Sequence, residues 1–77
     1  MAQDERFCRL VEEYQTSLLR MCYLHLQDLQ EAEDAVQETF LKAYRSLNSF
    51  QGISSEKTWL MRIAINVCRD VRRSRWF

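Results

Sequence analysis

Four side chains near the end of this chain stand out for what they could bind. Arg62, Asn66, Arg69 and Arg73 are spaced by four, three and four residues, so on a helix turning about 100° per residue they form one row. Three guanidiniums suit phosphates, and one carboxamide can exchange a paired donor and acceptor with a base edge. The row therefore points to nucleic acid. A second set, Asp34, Gln37, Glu38 and Leu41, falls at i, i+3, i+4 and i+7. An apolar anchor inside an acidic patch is what a helix-on-helix protein contact uses, although a single exposed leucine is also ordinary. No third constellation supports catalysis. The chain has one histidine, and its sequence shows no Gly-rich phosphate loop and no nucleophile–base pair. Cys22 and His25 make an isolated Cys-x-x-His without the second ligand pair that structural zinc needs. No metal, cofactor or catalytic residue is expected.

These side chains need rigid elements to hold them. Seventy-seven residues with 47% hydrophobic content, no proline and one glycine, Gly52, predict one small all-α domain built from long helices. Helix 1 is expected over about residues 4–26, with Phe7, Leu10, Val11, Tyr14, Leu18, Met21 and Cys22 as its apolar stripe. Asp4 or Gln3 could open it and Gln27-Asp28 close it. His25 is read as a surface histidine near that end. Asp28 and Glu31 have capping-box spacing and begin helix 2, about residues 29–48. Its inward stripe is Leu29, Ala32, Ala35, Val36, Phe40, Ala43, Tyr44 and Leu47, with alanines that allow close approach.

A loop over residues 49–55 follows, where Gly52 can supply a positive φ and Phe50 and Ile53 can plug onto the core. Ser54 or Ser55 would cap helix 3, about residues 56–75. Trp59, Leu60, Ile63, Ala64, Val67 and Val71 form its core face. The angular position of Trp59 favours packing over display. The result is a compact three-helix bundle with a structured loop between helices 2 and 3.

The zero net charge hides a polarity. Residues 1–56 carry five Lys/Arg against ten Asp/Glu, and residues 57–77 carry six against one. An acidic protein-facing surface and a basic polyanion-facing one fit this division; solvation of helices and opposition of their dipoles is the plainer reading. Cys8, Cys22 and Cys68 are expected as buried reduced thiols. No apolar run approaches the roughly 18 to 20 residues of a membrane-spanning helix, and a cytoplasmic protein without membrane insertion is the simplest expectation.

Two long motifs carry a resemblance. Ala32-Glu-Asp-Ala-Val-Gln-Glu-Thr-Phe-Leu-Lys-Ala-Tyr-Arg is followed by Phe50-Gln-Gly and then by Thr58-Trp-Leu-Met-Arg-Ile-Ala-Ile-Asn66. In order and spacing they closely resemble region 2 of bacterial RNA polymerase sigma factors of the extracytoplasmic-function (ECF) group. The likeness is weak in helix 1 and strong from Ala32 to Arg75. It implies a non-enzymatic transcription initiation domain whose second helix docks on the β′ clamp coiled coil of RNA polymerase. By position Asp34, Gln37, Glu38 and Leu41 would make that contact. It also implies that the loop and helix 3 recognise and melt the promoter −10 element as single-stranded non-template DNA. Ser49, Gln51, Gly52 and Ser54 of the loop and Arg62, Asn66, Arg69 and Arg73 of the helix would bind it, with Asn66 beneath a pocket for an extruded base. In primary sigma factors exposed aromatics of this region hold the fork open, a role that would compete with core packing for Trp59.

The same resemblance implies an anti-sigma factor as a further partner. It also implies a second domain, region 4, that reads the −35 element and is absent from these 77 residues. The chain is accordingly read as one domain of a larger protein in preference to an atypical short one, with Trp76 and Phe77 opening the interdomain linker. Two rival readings remain: a duplex-DNA module that inserts helix 3 into a major groove, and a protein-only helical module with an incidental basic tail.

Overall fold

The computed structural model describes residues 2–50 and 55–75. Three helices make up the fold, in the order α1 (Ala2–Leu26), α2 (Leu29–Ser46) and α3 (Glu56–Arg75), with a 3-10 turn at Leu47–Ser49 after α2. They run up, down and up. The N-terminal turn of α1 lies against both the end of α2, where the Tyr44 hydroxyl donates to the Asp4 carboxylate at 2.9 Å, and the start of α3, where Arg6 and Arg9 meet Glu56. All three helices pack on one another, as the bundle expectation required.

Local chemistry sets the boundaries. Gln27 ends α1 by adopting a left-handed φ of 55°, and its N–H donates back to Tyr23 O at 2.7 Å. This is the single-bond C-terminal cap, made here without glycine. Asp28 then stands in extended conformation and accepts the Glu31 N–H on Oδ1 at 2.9 Å, so α2 begins where the capping spacing places it. Helix 2 was expected to continue to residue 48. Instead its α-geometry ends at Ser46, and Leu47–Ser49 tighten into a 3-10 turn, closed by the Phe50 N–H on Leu47 O at 3.3 Å. Such tightening is common where the last α-carbonyls lack partners and turn-forming residues follow. Of the two candidate caps for α3, Ser55 is seen to act: its Oγ accepts the Thr58 N–H at 3.1 Å. Gln51, Gly52, Ile53 and Ser54 lie outside the described residues, as do Trp76 and Phe77.

The core is shared among the helices. Leu10, Leu18, Cys22 and Leu26 come from α1, Ala32, Ala35, Val36, Phe40 and Ala43 from α2, and Leu60, Ala64, Val67 and Cys68 from α3, with Leu47 below. Four buried alanines let the backbones approach, and the larger side chains of neighbouring turns fill the space between them. Phe7 meets Phe40 and Tyr44 edge-on, at 6.1 and 4.9 Å between centroids, a favoured aromatic geometry.

Three expectations are corrected. Leu29 was placed in the core and is 56% exposed, because it begins α2 at the margin of the bundle. Tyr44, also placed inside, is 40% exposed; its ring lies on Phe7 while its hydroxyl leaves the core for Asp4, as amphipathic rings do. Cys8 was expected to be buried and is exposed, since it sits off the apolar stripe of α1. Conversely, Thr39 is fully buried. Its hydroxyl donates to Ala35 O at 2.7 Å within the same helix, which removes the cost of hiding it.

Candidate nucleic-acid interface

Packing α3 by its apolar face leaves Arg62, Asn66, Arg69 and Arg73 exposed, as the helical row requires. The tertiary structure then divides the row. Asn66 lies with Ile63 in a groove of about 280 Å³ whose other wall is Lys42, Arg45 and Ser46 of α2. Arg69 and Arg73 open onto a different cleft, of about 450 Å³, lined also by His25, Ile65 and Arg72. Arg62 lines neither.

Each site sets polar groups beside one isoleucine, Ile63 in the first and Ile65 in the second. In the α2–α3 groove an amide that can pair with a base edge faces an ammonium and a guanidinium suited to the flanking phosphates. In the second cleft three guanidiniums and an imidazole converge, and no carboxylate is among the residues lining it. Among the described residues its acidic contact is loose, Arg73 Nη2 to Asp70 Oδ1 at 3.9 Å with both side chains exposed, worth little in water.

Sequence reasoning missed Lys42, Arg45, Ser46, His25 and Arg72 as possible participants. Lys42 and Arg45 are three apart near the end of α2, a pattern that helix-dipole compensation also explains; only the packing of α3 shows what they face. His25 was expected on the surface and is there. Its Cys-x-x-His partner Cys22 is buried instead. Burial pushes the Cys22 thiol up to about 12, and its hydrogen bond to Cys68 adds to the effect. The two residues of the motif therefore occupy different environments.

The described ends of the loop both meet neighbouring side chains. Phe50 stacks on Trp59, centroids 4.7 Å apart and planes 21° from parallel, and Trp59 in turn packs against the core. That agrees with packing over display for Trp59. The Arg6 guanidinium lies 5.6 Å above the Phe50 ring centroid. At the start of α3, Glu56 Oε2 lies 3.2 Å from Arg9 Nη2 and 3.8 Å from Arg6 Nε. Of the four loop residues expected to bind DNA, Ser49 is exposed on the 3-10 turn, while Gln51, Gly52 and Ser54 are outside the described residues.

The acidic set on α2 is exposed throughout, and Leu41 keeps 53% of its surface in solvent. Asp34 and Gln37 line a shallow groove with Gln15 and Leu19 of α1. Glu38 lines another with Lys42, Val67 and Asp70, toward α3. The set thus crosses the outer ridge of α2 and is accessible from both sides. Among the described residues there is no group of three or more His, Cys, Asp or Glu placed to hold a metal ion, and no helix long and apolar enough to cross a membrane.

Comparison with known proteins shows the family. The Sigma-70 region 2 family model matches residues 10–77. The RNA polymerase sigma-H factor of Pseudomonas aeruginosa is 47% identical over 68 residues, covering 87% of this chain and 35% of that protein. The ECF sigma factor SigW of Bacillus subtilis is 37% identical over 67 residues, covering 87% and 36%. SigX of the same organism is 35% identical over 74 residues, covering 96% and 36%. The chain thus spans about a third of the length of these curated relatives. An all-α bundle with an exposed basic-and-amide row, matched by that model over all but its first nine residues, belongs to the sigma-70 region 2 family, as region 2 of an ECF sigma factor.

Proposed function

We propose that this domain serves transcription initiation by docking on the RNA polymerase clamp through α2 and by capturing the −10 promoter element as unpaired non-template DNA along α3. The observation that carries the reading is the placement of Asn66. It sits in a groove with Lys42, Arg45 and Ser46 at the end of α2, and Arg69 and Arg73 follow it on α3 around a second, basic cleft. A single strand can lay its phosphates along such cations while one base turns toward the amide and the loop. Binding the turned-out base offsets the cost of unstacking it, a few kcal/mol, so recognition and melting are coupled. Ser49, Gln51, Gly52 and Ser54 supply the loop side of that pocket; Arg62, Arg69 and Arg73 hold the backbone, and Arg72 and His25 continue the basic surface beyond them.

The exposed ridge of α2 supplies the protein contact. Asp34, Gln37 and Glu38 with Leu41 one turn beyond them fit a basic coiled coil, attraction at long range being followed by burial of the leucine. An anti-sigma factor covering either face would silence the domain. The reading places the protein in the cytoplasm with the polymerase.

A labelled library of single strands spanning the −10 element tests the DNA half. The 77-residue chain should retain some sequences over others. Asn66→Ala should lose about 1–3 kcal/mol of discrimination at one base. Equal retention of all sequences would defeat the base pocket, and preference for duplex over single strand would favour major-groove insertion instead. For the protein half, Glu38→Lys and Leu41→Ala should each weaken binding to the isolated clamp coiled coil. Unchanged affinity in both would remove α2 from the contact.

A further inference from the structure

The loop that follows α2 is gripped at both of its described ends from the N-terminal part of α1. Arg6 and Arg9, less than three turns into α1, reach both of those ends. At the near end the Arg6 guanidinium covers the Phe50 ring at 5.6 Å, on a side chain that also stacks with Trp59 at 4.7 Å. At the far end Glu56, the first residue of α3, receives Arg9 at 3.2 Å and Arg6 at 3.8 Å. One guanidinium thus spans the two stems. A planar cation can do both at once, by its face toward the ring and its edge toward the carboxylate.

We infer that Arg6, supported by Arg9, is a positioning residue for base selection: it sets the separation and orientation of the loop stems and so sharpens sequence discrimination without touching DNA. The inference rests on the proposed DNA-reading function. The geometry separates this role from simple stability. Arg6 and Glu56 keep 39% and 24% of their side-chain surface exposed, and the core beneath Trp59 is complete without them. What they add is a fixed relation between Phe50 and Glu56, and a base pocket depends on such fixed relations more than on the total number of contacts. A substitution at residue 6 would then retune promoter choice while leaving the DNA-facing row intact.

Arg6→Ala, Arg6→Lys and Glu56→Gln in the 77-residue chain test this with two readouts. The first is the ratio of affinities for the best-retained −10 single strand and a scrambled strand of the same composition. The second, independent of DNA, is hydrogen exchange at the Phe50 amide, whose bond to Leu47 O reports the near stem. Arg6→Ala should lower the discrimination ratio about threefold or more, the scale of a lost cation–π contact. It should accelerate Phe50 exchange and leave affinity for the scrambled strand within about twofold. Arg6→Lys should restore part of the ratio, and Glu56→Gln should reproduce part of the loss. An unchanged ratio overturns the inference whether or not exchange accelerates, as does an equal loss of affinity for both strands. If the parent chain shows no sequence preference, the DNA reading itself fails. Phe50 exchange then judges the latch alone: acceleration in Arg6→Ala keeps it, and none removes it.

Discussion

The two ends of α3 differ in how their charges are used. At the N-terminal end Glu56 meets two arginines of α1, Ser55 caps the helix, and Phe50 and Trp59 stack beneath Arg6. At the C-terminal end Arg69, Arg72 and Arg73 gather with His25 around a cleft lined by no carboxylate. One end satisfies its groups internally and holds shape. The other leaves cations facing solvent, which costs little for exposed arginines and keeps them available to phosphates. A small domain can thereby place rigidity beside its loop and charge at the far end of the same helix.

This contrast can be broken most severely from the held end. Leu60 is fully buried one turn into α3, and Leu60→Ala should cost about 2–5 kcal/mol in chemical denaturation, much of the stability of a domain this small. If the open end is free of structural duty, Arg69→Ala combined with Arg73→Ala should leave the denaturation midpoint within about 0.5 kcal/mol per site. The same pair should weaken single-strand binding regardless of sequence and flatten its salt dependence, by between about 1 and 2 in logarithmic slope. A stability loss comparable to that of Leu60→Ala would show that the basic cleft is structural after all.

Alkaline pH should separate the ends more gently. Burial, reinforced by the Cys68 hydrogen bond, raises the Cys22 thiol from 9.0 to about 12, and burial raises Cys68 as well. The folded chain keeps protons that the unfolded chain releases. Stability from this source is therefore complete below about pH 9 and declines as pH climbs toward 12. Urea midpoints should fall through that window, and Cys22→Ala should flatten the fall. Both cysteines belong to the open end along the chain, Cys68 directly before Arg69 and Cys22 one turn before His25. A thiol reagent near neutral pH should accordingly modify exposed Cys8 well before the other two. The smallest effect concerns Gln27, which holds a left-handed φ of 55° beside the open end. Gln27→Gly should stabilise the chain by about 0.5–1 kcal/mol in thermal denaturation; destabilisation would mean that the glutamine side chain makes a contact worth more than the backbone strain.

Much of the fold was legible because its signals are local. The apolar stripe of α1, the Asp28 cap and the serine before α3 depend on neighbours within four residues. The end of α2 was read two residues long, since a 3-10 turn has nearly the same periodicity over so short a stretch. Leu29 and Tyr44 were misread for a different reason. A helical wheel gives the direction of a side chain, but not whether the bundle extends far enough to cover it. The candidate site was legible as a list of residues and not as a surface. Asn66 and Arg69 are three residues apart and hence about 60° apart around the axis. On paper they make one row; in the bundle that angle separates a groove against α2 from a cleft against α1.

By itself, then, the sequence determined the helices, the face each turns inward, the family, and the exposed position of the basic and acidic rows, since each follows from local spacing and composition. Only the tertiary structure decided what those rows face. It set Lys42 and Arg45 opposite Asn66, joined His25 to the arginines of α3, and brought Arg6, 44 residues from Phe50 along the chain, onto that ring. The physical reason is that burying three apolar stripes together fixes the rotation and direction of every helix at once. Surface partnerships between distant residues follow from that arrangement, and no local pattern encodes them.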